Sequence, residues 1–366
     1  MLSRRRWLAG AAISGATAPL LAACSSATSG TDEAARRLRA PFAAKTGDRD
    51  SLLRELVRYA TLAPSSHNTQ CWQFRLGERA IAIAPDLSRR CPVVDPDDHH
   101  LFVSLGCATE NLAQAALANG LQVEARFDPA GPGSVVASLV PTRAVASPLF
   151  GAITERQCTR GDYDGQPLSA QELGLLERAG SAAGVRVLML TERPALEKVL
   201  GFVTAGNTSQ MSDPAFLEEL KAWIRFSADE ATRTGDGLYA GASGNPSMPR
   251  WLGSPLLDVF FTVRTENERY ARQIRNSAGI AVFVAETADA AHWVEVGRCY
   301  ERFALQATAL GIRNAFVNQP VEVAALRPQF ASALGLGALR PDLVVRFGRG
   351  PATPWAMRRP VQAVVV

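Results

Sequence analysis

Lysine is nearly absent from this chain. Three lysines (Lys45, Lys198, Lys221) stand beside 36 arginines in 366 residues. The formal net charge is only +4, and three arginines at the extreme N-terminus supply much of it. That balance excludes the broad basic surface that nucleic-acid binding requires. Histidine is scarce too, at four residues, and His67, His99, His100 and His292 match no zinc-ligand spacing. No Cys-x-x-Cys pair occurs, and the cysteines beyond Cys24 are odd in number (Cys71, Cys91, Cys107, Cys158, Cys299). They read mostly as small buried residues, with Cys71–Cys91 as one conceivable bridge. G-x-G-x-x-G and G-x-x-x-x-G-K-[ST] are both missing, so dinucleotide-type and ATP-binding domains have no support. A G-x-S-x-G elbow is missing as well, and Ser65 or Ser66 beside His67 on one turn makes a poor nucleophile–base pair.

What is present begins with an export address. Ser3-Arg4-Arg5-Arg6-Trp7-Leu8 is basic, and Leu8 to Ala23 is apolar but too short to span a bilayer comfortably. Paired arginines before an apolar run have the form of a twin-arginine signal. Leu21-Ala22-Ala23-Cys24 resembles a lipobox, which would leave an acylated Cys24 as a membrane anchor. Residues 1–23 are therefore expected to be a signal peptide and 24–48 a tether. The rest divides into two expected halves, 49–145 and 146–366. A hydrophobic share of 47% is ordinary for a globular chain.

The halves carry an internal repeat. Leu105-Gly-Cys-Ala-Thr-Glu-Asn-Leu-Ala-Gln-Ala-Ala-Leu-Ala-Asn-Gly-Leu121 aligns without gaps to Val296-Gly-Arg-Cys-Tyr-Glu-Arg-Phe-Ala-Leu-Gln-Ala-Thr-Ala-Leu-Gly-Ile312. Apolar residues recur there at helical spacing. In the first half the pattern predicts a helix over 51–61. Strands follow over 72–76 and 80–84 around a Gly77-Glu78 turn, then over 123–127 and 134–140. In the second it predicts a helix over 170–179 and strands over 185–190, 259–263, 280–285 and 343–347. Each half is thus an α+β unit. Residues 232–255, rich in glycine and proline, read as a long loop lying over a pocket as a lid. Asp97-Asp98-His99-His100 reads as a solvated helix start.

Two segments carry chemistry. Ala63-Pro-Ser-Ser-His-Asn-Thr-Gln-Cys-Trp72 offers hydroxyl, imidazole and amide groups on a turn after a helix. Arg156-Gln-Cys-Thr-Arg160 offers two guanidinium forks that suit a phosphate. Asn318-Gln-Pro-Val-Glu322 and Arg346-Phe-Gly348 place further polar groups at strand ends.

The string APSSHNTQCW resembles the APSxxNxQPW signature of the nitroreductase superfamily of flavin enzymes. Arg156-x-Cys158-x-Arg160 is similar to that family's Arg-x-Ser-x-Arg phosphate turn. DxxHHLFVSLGCATEN, Asp236-Gly237-Leu238, AFVNQPVEV and the ending VRFGRG…RRPV resemble, more narrowly, its Acg-like FMN-binding branch. The resemblance covers nearly everything after residue 49. It implies a nitroreductase-like fold in two degenerate copies that form a pseudo-dimer within one chain, monomeric and with one flavin site. It further implies that Arg156, Cys158 and Arg160 hold the FMN phosphate, with Arg346 and Gly348 nearby. Pro64, Ser65, Ser66, His67 and Asn68 would meet the isoalloxazine ring. Pro320, Val321 and Glu322 would approach N5 through backbone N–H groups. Cys71 stands where the signature has proline, and Cys158 where the phosphate turn has serine. The implied activity is ping-pong hydride transfer through flavin N5 to a small-molecule acceptor such as a nitro compound or quinone. The alternative is a non-catalytic protein that stores or sequesters FMN under a closed lid.

Overall fold

The computed structural model describes residues 31–366; the arginine leader and Cys24 lie outside the described residues. A helix over Arg49–Thr61 opens the first half, capped by Asp48, whose carboxylate accepts from the Ser51 N–H at 3.0 Å. Four antiparallel strands follow: β1 (Trp72–Leu76), β2 (Ala80–Pro85), β3 (Leu121–Asp128) and β4 (Ser134–Pro141). They pair in the order β1-β2-β4-β3, and a long helix, His99–Ala118, enters between β2 and β3.

The second half repeats this plan. Its helix Ala170–Ala179 precedes β5 (Val185–Leu190), and a two-stranded pair, β6 (Ile224–Arg225) and β7 (Leu238–Tyr239), comes next. The main sheet is completed by β8 (Gly279–Ala285), β9 (Arg313–Phe316) and β10 (Pro341–Gly348), antiparallel in the order β5-β8-β10-β9. Counting strands within each half, both sheets run first-second-fourth-third. The helix Ala290–Ala309 falls between the second and third strands, where His99–Ala118 falls in the first half. The fold is α+β in two copies, as the repeat predicts.

The copies meet along these two helices. A Cβ on Gly106 would lie 2.0 Å from the Val294 carbonyl oxygen, and one on Gly297 would lie 2.0 Å from the Val103 carbonyl oxygen. Each glycine thus sits three residues after the carbonyl its counterpart presses against, a reciprocal contact that a pseudo-two-fold axis generates. The ion pairs beside it are reciprocal in position but not in chemistry. Glu110 binds Arg302 at 2.9 Å and Arg298 at 3.3 Å, whereas its counterpart Glu301 lies beside Asn111 and pairs with Arg156 at 3.0 Å. One buried apolar cluster runs through both halves, from Leu56 and Trp72 to Phe303 and Phe347. The chain end closes the arrangement: Phe74 N–H donates to the Val364 carbonyl at 2.7 Å, so the last residues line the edge of the first sheet.

Three expectations are corrected. The stretch 259–263 is no strand: one helix, Arg250–Phe260, ends there and another, Val263–Arg275, begins at a Thr262–Thr265 capping box. The stretch 232–255, expected to be a loop, is part of a larger insertion that contains helices. Everything between β5 and β8, including helices Arg193–Met211, Pro214–Trp223 and Ala228–Thr234, replaces the three-residue connection that joins β1 to β2. His99 and His100 are buried rather than solvated; Asp95, not Asp97 or Asp98, receives the His100 and Leu101 N–H groups at 3.0 and 2.9 Å. The five cysteines among the described residues are free thiols, four of them buried.

The reciprocal glycine contact predicts that Gly297→Val destabilises the fold by at least about 3 kcal/mol, because backbone cannot retreat as a side chain can. Gly201→Ala, a helix position with open space around it, should instead be neutral or raise Tm. Thermal melts of the two variants check the contrast, and equal melting temperatures would contradict it.

Candidate functional site

A cavity of about 590 Å³ lies between the copies. Its polar end joins Pro64, Ser65, Ser66 and His67 from the first half to Arg160, Asn318, Gln319, Glu322 and Arg346 from the second. Its apolar end is walled by the insertion, through Phe216, Leu220, Phe226, Leu256, Leu257 and Phe260.

The turn that carries Ser65 to His67 is strained. His67, Asn68 and Gln70 all adopt left-handed backbone, with φ of 48°, 54° and 55°, at a cost of roughly 1–2 kcal/mol each for side chains of this kind. Contacts from the second half hold it there. The Asn68 amide donates to the Gly237 and Met357 carbonyls at 3.0 and 3.1 Å, and the Gln70 amide donates to the Gly235 carbonyl at 2.8 Å. Arg359 N–H donates to Gln70 Oε1 at 2.8 Å. Above all, the buried Arg358 guanidinium donates to the Thr61, Leu62 and Ala63 carbonyls at 2.7, 3.1 and 3.0 Å, and to Asn68 Oδ1 at 2.9 Å. These are the last carbonyls of the Arg49–Thr61 helix and the two residues after it, where partial negative charge gathers. Burial, helped by the nearby positive Arg156, lowers the Arg358 pKa to about 9.

Seven of the thirteen expected flavin-site residues line the cavity: Pro64, Ser65, Ser66, His67, Arg160, Glu322 and Arg346. The other six sit off its wall, each for a local reason. Arg156 turns inward to the buried Glu301 at 3.0 Å and to the Leu62 carbonyl at 2.8 Å, because a buried carboxylate needs a cation beside it. Asn68 spends its amide on Gly237, Met357 and Arg358. Cys158 runs beside β9 as an isolated bridge to Asn314, its sulfur facing Arg156 and Tyr300. Pro320 and Val321 are buried, and the Val321 and Glu322 N–H groups both donate to the Asn318 carbonyl, at 2.8 and 2.9 Å, so neither is a spare donor. Gly348 packs on Tyr163.

Arg346 is buried and stacks at 4.1 Å on the Tyr163 ring. Its Nη2 donates to the Thr159 and Gly161 carbonyls at 3.3 and 2.8 Å, while its Nη1 finds no hydrogen-bond partner among the described residues. Gln319 Oε1 is left unpaired in the same way, although Gln319 Nε2 donates to Tyr270 at 2.7 Å. Arg160, half-buried, donates to Ser243 Oγ at 3.2 Å. Buried donors without partners are costly. Two guanidiniums on one wall, one with a free N–H, therefore fit a phosphate-bearing ligand. Sequence reasoning missed Ser104 and Tyr270, which also line the cavity, and the whole role of Arg358, although the RRPV ending contains it.

The comparisons agree with this geometry at the level of family. Over 330 residues the chain is 26% identical to "Putative NAD(P)H nitroreductase Rv3131" of Mycobacterium tuberculosis strain H37Rv, covering 86% of this chain and 90% of that protein. The same figures hold for "Putative NAD(P)H nitroreductase MT3217" of strain CDC 1551. The chain is similar to these two proteins along most of its length. No family model matches it. Solved structures similar to it include a nitroreductase with bound FMN from Desulfitobacterium hafniense DCB-2 (14% identity, 61% of this chain and 98% of that one, TM-score 0.38). Another is the FMN-dependent nitroreductase NfnB from Mycobacterium smegmatis in complex with NADPH (13% identity, 58% and 90%, TM-score 0.35).

Two outcomes are expected. Arg358→Met leaves three carbonyls and Asn68 Oδ1 without their donor and should cost about 3 kcal/mol or more. Arg358→Lys should rescue little, since an ammonium cannot reproduce the planar fork; full rescue in denaturant titrations would contradict the clamp. His67 is held down to a pKa of about 4, first by burial and then by Arg160 and His100. Between pH 6.5 and 4 the unfolded chain then binds more protons there than the folded one, so stability falls with pH by up to about 3 kcal/mol. His67→Asn should flatten part of that fall, with buried His99 supplying the remainder; an unchanged slope in the variant counts against it.

Proposed function

We propose that this chain is an FMN-dependent oxidoreductase of the nitroreductase type, in its Acg-like branch. The observation that carries the reading is the cavity wall itself. There the Pro64–His67 turn of one copy and the Arg160–Arg346 pair of the other face the same space. The names of the relatives as NAD(P)H nitroreductases support it. FMN, when bound, supplies a two-electron centre that takes up and gives back hydride at N5. Arg160 and Arg346 hold the phosphate, with the free Arg346 Nη1 as the donor it satisfies. Ser65, Ser66 and His67 line the ring, His67 neutral at pH 7. Gln319 Oε1 and the Asn318 side chain offer polar contacts to the ring edge. Glu322, whose pKa burial raises and whose carboxylate accepts from Gln210 at 2.7 Å, adds an acidic group at the cavity wall. One cavity serves reductant and acceptor in turn, which is the basis of a ping-pong order; a nitro compound or quinone is the acceptor class.

Because both copies lie in one chain, a single folded molecule is a complete site and the protein is expected to act as a monomer. The leader motifs support export by the twin-arginine route in folded, cofactor-loaded form, with acylation at Cys24 in the cell envelope.

The purified protein should be yellow. Arg160→Ala and Arg346→Ala should each weaken FMN binding at least about tenfold, the worth of one charge-assisted hydrogen bond. Arg156→Ala should lower Tm more than it lowers FMN affinity. Anaerobic mixing with NADPH should bleach the colour. Colour that only dithionite removes would assign the protein to FMN storage instead, and a protein that takes up no FMN would end the reading.

A further inference from the structure

The helix Arg250–Phe260 leaves one face uncovered. Nine large apolar residues stand exposed among the described residues, and four of them lie on these eleven positions: Trp251 (75% exposed), Leu252 (39%), Val259 (64%) and Phe260 (68%). At 3.6 residues per turn Trp251, Val259 and Leu252 fall within roughly 100° of one side of the helix, and Phe260 lies at the border between that side and the inward one. The other side faces inward: Gly253 packs on Phe226, and Leu256 and Leu257 line the cavity. Phe260 belongs to both surfaces. The cavity's apolar end and the outer stripe are therefore one apolar surface, separated by a single helix.

The start of the described chain packs near the beginning of that helix. The helix over residues 31–38 packs through Ala34, Ala35 and Leu38 on Ala228, Ala231 and Tyr239, and the Thr31 and Thr232 hydroxyls meet at 3.4 Å. The Ala228–Thr234 helix in turn holds the start of the uncovered helix, through Glu230 and Arg250 at 2.8 Å. Cys24 precedes Thr31 by seven residues in the sequence, a reach of at most about 25 Å. Acylation at Cys24, which the leader motif implies, would hold a bilayer within that reach of Thr31 and the Ala228–Thr234 helix it packs on. Tryptophan among aliphatic residues is the composition that settles at the boundary between headgroups and acyl chains. The charged groups of this helix are already paired, Arg250 with Glu230 and Asp258 with Lys221, which lowers the cost of approach.

We propose that the Arg250–Phe260 helix docks on a lipid surface, so that the cavity takes an amphiphile from that surface, polar head toward the Ser65–His67 side where the flavin ring would lie, apolar chain along Phe226, Leu256 and Leu257. The identity of the polar end rests on the flavin-oxidoreductase reading; the docking does not. The test uses the chain from residue 24 onward carrying Cys24→Ser, which contains every described residue and cannot be acylated. It is floated with vesicles of phosphatidylcholine and phosphatidylglycerol, beside the same chain with Trp251→Glu and Val259→Glu, two positions that do not line the cavity. The double variant should partition into vesicles at least about tenfold less, with Tm and flavin absorbance unchanged. Equal partitioning of the two would overturn the proposal, as would a dimer that the variant dissolves without any change in vesicle binding, for then a second copy covers the face. Should the double variant unfold, Trp251→Tyr keeps the fold, and brominated lipid should quench the parent's tryptophan emission but not the variant's; equal quenching of both would overturn the proposal. Absence of flavin in both chains would sink the oxidoreductase reading while the partition result still stands.

Discussion

Guanidinium groups from the second copy, planted at the end of the first copy's opening helix, are the contact on which the site depends. Arg358 and Arg156 both reach the Leu62 carbonyl, at 3.1 and 2.8 Å, and Arg358 goes on to Thr61, Ala63 and Asn68. Carbonyls at a helix end are poor at satisfying themselves and carry partial negative charge, so a buried fork of N–H donors is well matched to them. The residues that follow, Pro64 to Gln70, are bent into left-handed backbone that their side chains disfavour. Without donors from the other copy, that turn would have neither its hydrogen bonds nor its shape.

The two arginine environments differ in a way that sorts structure from binding. Arg156 has a buried carboxylate, Glu301, which keeps it charged and keeps it inside. Arg346 has only backbone carbonyls and an aromatic face, and retains a free N–H. A guanidinium already neutralised is a brace; one that is buried, unneutralised and under-bonded is a binding group awaiting an anion.

Much of this was legible in the chain. The Leu105–Leu121 and Val296–Ile312 repeat announced two copies, and strand periodicity placed seven of the eight main-sheet strands near their observed bounds. β9, only four residues long and half of it partly exposed, gave no such periodic signal. The missed helices of the insertion have amphipathic patterns interrupted by proline at their starts or interiors, as at Pro194, Pro214 and Pro255. Spacing also could not tell which way a side chain turns. Arg156 and Arg160 look equivalent as a pair, yet Glu301, far off in sequence, decides between them. Arg358 acts on carbonyls almost three hundred residues away, a partnership no local pattern encodes.

The most direct measurement is a crystal structure of the protein with FMN bound. The account predicts the phosphate on Arg160 and Arg346, the ring against Ser65 to His67, and Arg156 still on Glu301 and Leu62. A phosphate held by Arg156, with Glu301 left unpaired, would contradict it.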